Sequence, residues 1–179
     1  MDLSALPRTI WSELALANDD RQHPWRTPVL ASIDSDGCPQ ARTVVLRNVD
    51  RHAQTLQFFT DSRSPKVNQL RASPQIQLVF WSKTLNWQVR ISATADIATE
   101  GLEVDAAWEL VKKTPARKDY LSDLAPGDAL PLKKKQTLGN NHHLAVITAK
   151  VSRIDWLSLS YEGHQRAEIS VEKLHWLTP

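Results

Sequence analysis

The chain has 179 residues, 41% hydrophobic and 23% charged, the size and balance of one globular domain able to bury a core without staples. A formal net charge of +2 leaves no electrostatic footprint for nucleic acid, and Cys38, the only cysteine, excludes an intrachain disulfide and a cysteine-rich zinc site. The opening residues read as free of a secretory signal and no apolar run is long enough for a membrane helix, so the expectation is a cytoplasmic protein with no membrane partner.

Pro7 with Ile10, Trp11, Leu14 and Leu16 predicts a short amphipathic helix over about residues 7–18. Residues 29–33 read as a first strand, Asp34-Ser35-Asp36-Gly37 as a turn, and 40–49 as a single returning strand. On that strand Arg42, Val44 and Leu46 share one face, and Thr43, Val45 and Arg47 the other. A third strand covers 55–60, and Ser64-Pro65 makes a coherent N-cap and first position for a helix running to Arg71. Strands follow over 75–81 and 87–97, then a helix capped by Thr99 and reaching about Lys113. Residues 116–141 read as a long irregular connection holding a short helix near 117–124 and a solvated lysine run at 133–135. Strands over 144–156 and 157–161, a hairpin turn at Glu162-Gly163, a return over 164–171 and a short strand at 174–177 close the chain. Strands at this spacing predict a mainly β fold, an antiparallel barrel or sandwich with added helices. The whole of 1–179 is read as one domain, with 1–23 as helix and lead-in and 99–141 as an insertion.

The chemistry concentrates between Arg42 and Gln88. Arg42, Arg47, Arg63 and Lys66 stand in a stretch otherwise rich in β-branched and aromatic residues. The helix start at Ser64-Pro65 adds unsatisfied N–H groups and a positive dipole end beside Arg63 and Lys66. That combination suits a phosphorylated, partly apolar ligand; the competing reading pairs these cations with carboxylates on a barrel surface. No glycine fingerprint or Gly-x-Ser-x-Gly elbow occurs. His142-His143 lacks a third ligand at metal-site spacing, so no metal is expected.

Taken in order, these motifs resemble the FMN-binding split barrel of the pyridoxamine 5'-phosphate oxidase family. Arg42-Thr43-Val44-Val45-Leu46-Arg47 is similar to the family's Arg-x-Val-Leu-Leu-Lys strand. Phe59-Thr60 and Ser64-Pro65-Lys66 are similar to its Tyr-Thr and Ser-Arg-Lys, and Trp87-Gln88-Val89 to its Arg-Gln-Val. Trp156, His164 and Arg166 keep the spacing of its Trp, His and Arg, and Leu177-Thr178-Pro179 is like its Leu-x-Pro end. The resemblance implies a split β-barrel that binds FMN at a homodimer interface and oxidises or reduces a small molecule. It implies that Arg42 and Lys66 hold the FMN phosphate and that Thr60 and Ser64 bond the ribityl-phosphate end. Arg47, Phe59 and the backbone of Thr43, Val44, Val45 and Leu46 would line the flavin, and Gln88 would meet the isoalloxazine edge. Trp156 and Arg166 would reach it from the second subunit; His164 and Arg47 are the substrate-side candidates.

The departures fall on the substrate side. Glu162 stands where the oxidases carry an Arg, and Trp108, Lys112 and Ala116 stand where they carry a Tyr-x-x-x-Arg-x-x-x-Ser phosphate clamp. Arg47 replaces a Lys and Pro65 an Arg, neither a neutral exchange at a close contact. The leading reading is therefore an FMN-dependent oxidase or reductase with an unidentified substrate. One alternative is a true pyridoxamine or pyridoxine phosphate oxidase with a clamp rebuilt from Lys112, Arg117 or the 133–135 lysines. The other is a non-catalytic flavin-binding module.

Overall fold

Apolar residues recur at every second position along much of the chain, and the structure, a computed structural model that describes residues 2–130 and 137–179, turns that alternation into antiparallel sheet. Among the described residues the strands are β1 Val29–Ile33, β2 Pro39–Thr43, β3 Leu46–Asp50, β4 Thr55–Asp61, β5 Gln75–Ser82, β6 Trp87–Ala98, β7 Leu144–Ser158, β8 Gln165–Ser170 and β9 Leu174–Leu177. The helices are α1 Leu6–Asp19, α2 Pro65–Ala72 and α3 Leu102–Val111. The sheet runs β2-β1-β5-β6-β7-β4-β3, with β8 on β7 and β9 on β8. The 15-residue β7 is its spine. One edge of β7 pairs with β6 along most of its length; the other is divided between β4 on its first half and β8 on its second.

The expected single strand over 40–49 is two strands at opposite ends of this order. β2 pairs with β1, Arg42 opposite Leu30, whereas β3 pairs with β4, Leu46 opposite Phe58. The break has a local cause. β1 begins directly after Pro28, which has no N–H to extend the ladder. The Val44 N–H makes a last bond to the Pro28 carbonyl at 3.0 Å, and the chain then crosses to β4. Three smaller differences follow. α3 starts after Gly101, whose φ of 94° favours glycine, and not from a Thr99 cap. The helix expected near 117–124 is a 3-10 turn over Pro115–Tyr120. The two strands expected from 144 to 161 are the one strand β7. The lysine run 133–135 lies outside the described residues.

α1 lays Leu6, Ile10, Leu14 and Ala17 on the main core, where Leu30, Phe58, Phe80, Val89 and Ile147 are almost fully buried. Trp25 sits at its centre, with ring centroids 5.8 Å from Phe80 and 6.4 Å from Trp87. A second cluster packs Val104, Ala107 and Val111 of α3 against Tyr120, Leu144 and Val146. Among the described residues no helix is long and apolar enough to cross a membrane.

Candidate functional site

Buried hydroxyls and carboxylates mark one corner of the sheet. Of the six buried polar residues among the described ones, Ser32, Thr60, Asp61 and Ser64 gather around the start of α2. Lys66, in the first turn of α2, folds back so that its Nζ donates to Thr60 Oγ1 at 2.9 Å and to Ser64 Oγ at 2.7 Å. Ser64 holds the extended N-cap position but makes no side-chain cap bond; its hydroxyl serves Lys66 instead. Arg42 reaches the same corner from β2. Its Nη1 donates to Ser32 Oγ at 2.6 Å and its Nη2 to Gln69 Oε1 at 2.8 Å. The Ser32 hydroxyl also donates to Gln69 Oε1, at 3.0 Å, which closes the triangle.

The electrostatics of this corner favour an anion. Burial, and then the charge of Arg42, lower the Lys66 pKa from its ordinary 10.5, with Asp61 opposing. Burial lowers the Arg42 pKa as well. Neither cation forms an ion pair among the described residues. The carboxylate that could have neutralised them, Asp61, is taken by Arg63 through bonds of 2.7 and 3.0 Å. Arg63 also donates to the carbonyls of Ser122 at 2.9 Å and Leu124 at 3.3 Å. The sequence expectation that Arg63 adds free charge at the helix start is thus corrected: Arg63 ties the loop after the 3-10 turn to Asp61. What remains is two partly desolvated cations, three hydroxyls and a helix N-terminus, which fit the phosphate of FMN.

Arg47 projects elsewhere, from β3. Its guanidinium carbon lies 5.7 Å from the centroid of the Phe59 ring, a cation–π approach. It also comes within hydrogen-bond reach of Tyr120, whose hydroxyl pKa burial raises while Arg47 opposes. With Val45, Arg47 borders a cleft of about 420 Å³ that Arg21, Arg26, Thr114 and Ala116 also line. Val44 and Leu46 turn their side chains into the core and Thr43 is exposed, so only backbone from Val44 and Leu46 is available to a ligand.

The remaining expected residues form a second group. Gln88 on β6 and Arg166 on β8 flank Leu157 of β7 from either side. His164 lies exposed in the β7–β8 turn, where its Nδ1 accepts from the Ser160 N–H at 3.2 Å. Arg166 donates twice to Asp155, at 3.1 and 2.7 Å, and Arg90 shares the same carboxylate. Burial pushes the Asp155 pKa up, but the two arginines outweigh it and hold the carboxyl below its ordinary range.

Trp156 departs from the expectation of an open stacking surface. Its ring is 0% exposed, set edge-on to Trp87 at 5.2 Å with Trp176 at 6.3 Å. In the single chain it is a core residue, and its buried indole Nε1 has no hydrogen-bond partner. On the side of the expected clamp, Trp108 stacks on His142 with centroids 4.4 Å apart, and Lys112 pairs with Glu109.

One chain does not bring the two groups together. Thr60 faces Ala145 and Gln88 faces Leu157 on β7, a separation of up to about 40 Å along an extended strand. Sequence reasoning missed Gln69, Ser32 and Asp155. Gln69 follows Lys66 by three positions, so the helical repeat alone puts both on one face. Ser32 needs the hairpin register, which sets it opposite Gln40. No local signal marks Asp155.

The sequence model of the family described as "Pyridoxamine 5'-phosphate oxidase, FMN-binding domain" matches residues 9–99. A pyridoxine/pyridoxamine 5'-phosphate oxidase of Caulobacter vibrioides is 33% identical over 109 residues, 61% of this chain and 46% of that protein. A protein of the same name from Thermosynechococcus vestitus is 43% identical over 67 residues, 37% of this chain and 31% of the other. The chain thus matches less than half the length of these relatives. Among solved structures, PhzG from Burkholderia lata 383, in complex with tetrahydrophenazine-1-carboxylic acid, superposes with a TM-score of 0.75 at 18% identity, covering 97% of this chain and 92% of that one. A pyridoxamine 5'-phosphate oxidase-related, FMN binding protein from Nostoc punctiforme PCC 73102 gives 0.67 at 18% identity, covering 96% and 97%. These likenesses show the fold, an antiparallel split barrel; the matching family model is that of an FMN-binding domain.

Proposed function

The chain belongs to the pyridoxamine 5'-phosphate oxidase, FMN-binding domain family, and from that premise we propose that it is an FMN-dependent oxidoreductase acting on a small molecule, a single domain that works as a homodimer. FMN is the cofactor of this family's domain, and when bound it supplies hydride chemistry that side chains lack.

The observation that carries the reading is the Arg42–Lys66 pair, two cations drawn to one corner with no carboxylate to neutralise them among the described residues. Such a cluster raises the energy of the empty site, and a phosphate lowers it. Each charge-assisted contact contributes about 1.5–3 kcal/mol, so two contacts with the Thr60 and Ser64 hydroxyls suffice for roughly micromolar affinity. Arg47 and Phe59, on the neighbouring strands β3 and β4, would then flank the flavin ring.

The homodimer reading is supported by the distance between the two groups of residues. The phosphate corner and the Gln88–His164–Arg166 end sit on different halves of β7, further apart than one mononucleotide spans. If one FMN uses both, the second group comes from another copy of the chain. Asp155 holds the Arg166 guanidinium in a fixed orientation for that contact.

Purified protein is expected to be yellow and to release FMN on denaturation, and reduction of the bound flavin by NADH or NADPH without turnover of the vitamer would favour a reductase. A colourless protein that also fails to bind added FMN contradicts the proposal. Rapid turnover of pyridoxamine 5'-phosphate to pyridoxal 5'-phosphate would instead favour a vitamer oxidase.

A further inference from the structure

Four of the seven tryptophans make one continuous line of ring contacts. Trp25, between α1 and β1, lies 6.4 Å from Trp87 on β6. Trp87 stands edge-on to Trp156 on β7 at 5.2 Å, and Trp156 lies 6.3 Å from Trp176 on β9. Each centroid separation falls within the roughly 4.5–7 Å of interacting rings. The sheet register builds the line. Trp156 pairs with Ala167 on β8, and Ala167 pairs in turn with Trp176, so the three stand on one face. The small side chain of Ala167 lets the two rings meet across the strand between them.

Packing explains why these positions are aromatic, but not why they are tryptophan. Trp25 and Trp156 are both 0% exposed, and the buried Nε1 of each has no hydrogen-bond partner. A buried indole N–H ordinarily finds a partner, and one left unpaired destabilises the fold. Phenylalanine carries no such donor, and Phe58 and Phe80 fill the same core. What indole has and phenyl lacks is a low ionisation energy: it gives up one electron to a strong oxidant. The line also has one open end. Trp87 is 6% exposed, whereas Trp176 is 43% exposed. Gln88 follows Trp87 and Arg166 precedes Ala167, so the pair proposed above to meet the flavin lies on the opposite face of the same strands.

We propose that Trp25, Trp87, Trp156 and Trp176 form an electron relay that drains oxidising equivalents from the Gln88–Arg166 end of the sheet to the surface at Trp176. A one-electron oxidant at that end, light-excited FMN, takes one electron from Trp87 or Trp156. The oxidised ring takes an electron from its neighbour, and the vacancy reaches Trp176. There the indole N–H proton passes to water, and a thiol or ascorbate in solution returns one electron and one proton. Trp25 shares the vacancy without leading it out. That FMN is the oxidant rests on the function proposed above; that the rings conduct does not.

The test is flash photolysis of the FMN-loaded chain, read by the visible absorption of the tryptophanyl radical. Wild-type protein should give a long-lived radical that ascorbate removes. Trp176→Phe keeps an aromatic ring at a partly exposed position, so the fold should hold. It should lose the long-lived radical, because the vacancy then returns to the flavin from buried rings. Trp81→Phe removes an equally exposed ring opposite Gln88 and should leave the radical as it was. A long-lived radical that survives Trp176→Phe overturns the relay, and so does one lost in Trp81→Phe, which would make Trp81 the direct donor. A second arm supplies the oxidant without FMN, as a ruthenium bipyridyl photo-oxidant attached to Gln88→Cys in a Cys38→Ser chain, Cys38 being exposed. The same loss in Trp176→Phe should appear there, and its absence overturns conduction by the rings. A chain that takes up no FMN but shows that loss contradicts the oxidoreductase reading and supports the relay.

Discussion

Lys66 carries the sharpest residue-scale expectation. Lys66→Ala should weaken FMN binding by one to two orders of magnitude, the worth of a charge-assisted contact. Arg71→Ala, an exposed cation in the last turn of the same helix, should change it by less than about twofold. Fluorescence titration of FMN reads both. The pH dependence follows from the depressed Lys66 pKa. The ammonium form grips phosphate, so affinity should decline as pH rises through that lowered value, before the ordinary 10.5 of an exposed lysine. In Lys66→Ala this alkaline decline should be absent. For folding without FMN the sign is opposite: the unfolded chain keeps the Lys66 proton more readily. The buried cation therefore costs stability in full below the lowered pKa, and that cost fades as pH rises from there to the ordinary 10.5.

At the scale of elements, what was legible was local. Pro7 and the apolar repeat located α1; Ser64-Pro65 located α2; alternation located β4, β5 and β6 to within a residue or so. The break between β2 and β3 was not legible, because Val44 and Val45 are good strand residues and only the lack of a partner beyond Pro28 ends the pairing. The order of motifs pointed to Arg42, Thr60, Ser64 and Lys66 as a group, and these do meet. Arg63 could not be told from them, since its pairing with Asp61 and two loop carbonyls is settled by the fold. The Arg21–Arg26–Arg47 cleft was invisible for the same reason: α1 and β3 must pack before these residues meet. Trp156 shows how motif spacing and burial differ. Trp156→Ala should cost about 3–5 kcal/mol in urea unfolding of the FMN-free chain, as expected for an emptied core aromatic. A variant that keeps full stability and loses only FMN would mean that Trp156 serves the ligand and not the core.

At the scale of the whole molecule, the long β7 separates the phosphate corner from the Gln88–Arg166 end, and this makes the two-copy reading testable by complementation. Lys66→Ala and Arg166→Ala chains should each bind FMN poorly alone. Refolded together they should form mixed dimers in which one site draws Lys66 and Arg166 from the unmutated side of each chain, and FMN binding should return at one site per mixed dimer. No recovery in a mixture shown to contain mixed dimers would place both residues at the same site from one chain, or at different sites altogether.

If Arg42 and Lys66 hold the FMN phosphate, as proposed, the direct measurement compares FMN with riboflavin, which lacks it. Wild-type protein should bind FMN at least about a hundredfold more tightly than riboflavin, as two charge-assisted contacts require. In Lys66→Ala and Arg42→Ala most of that preference should vanish while riboflavin affinity stays where it was. A preference for FMN that survives both substitutions would contradict the assignment.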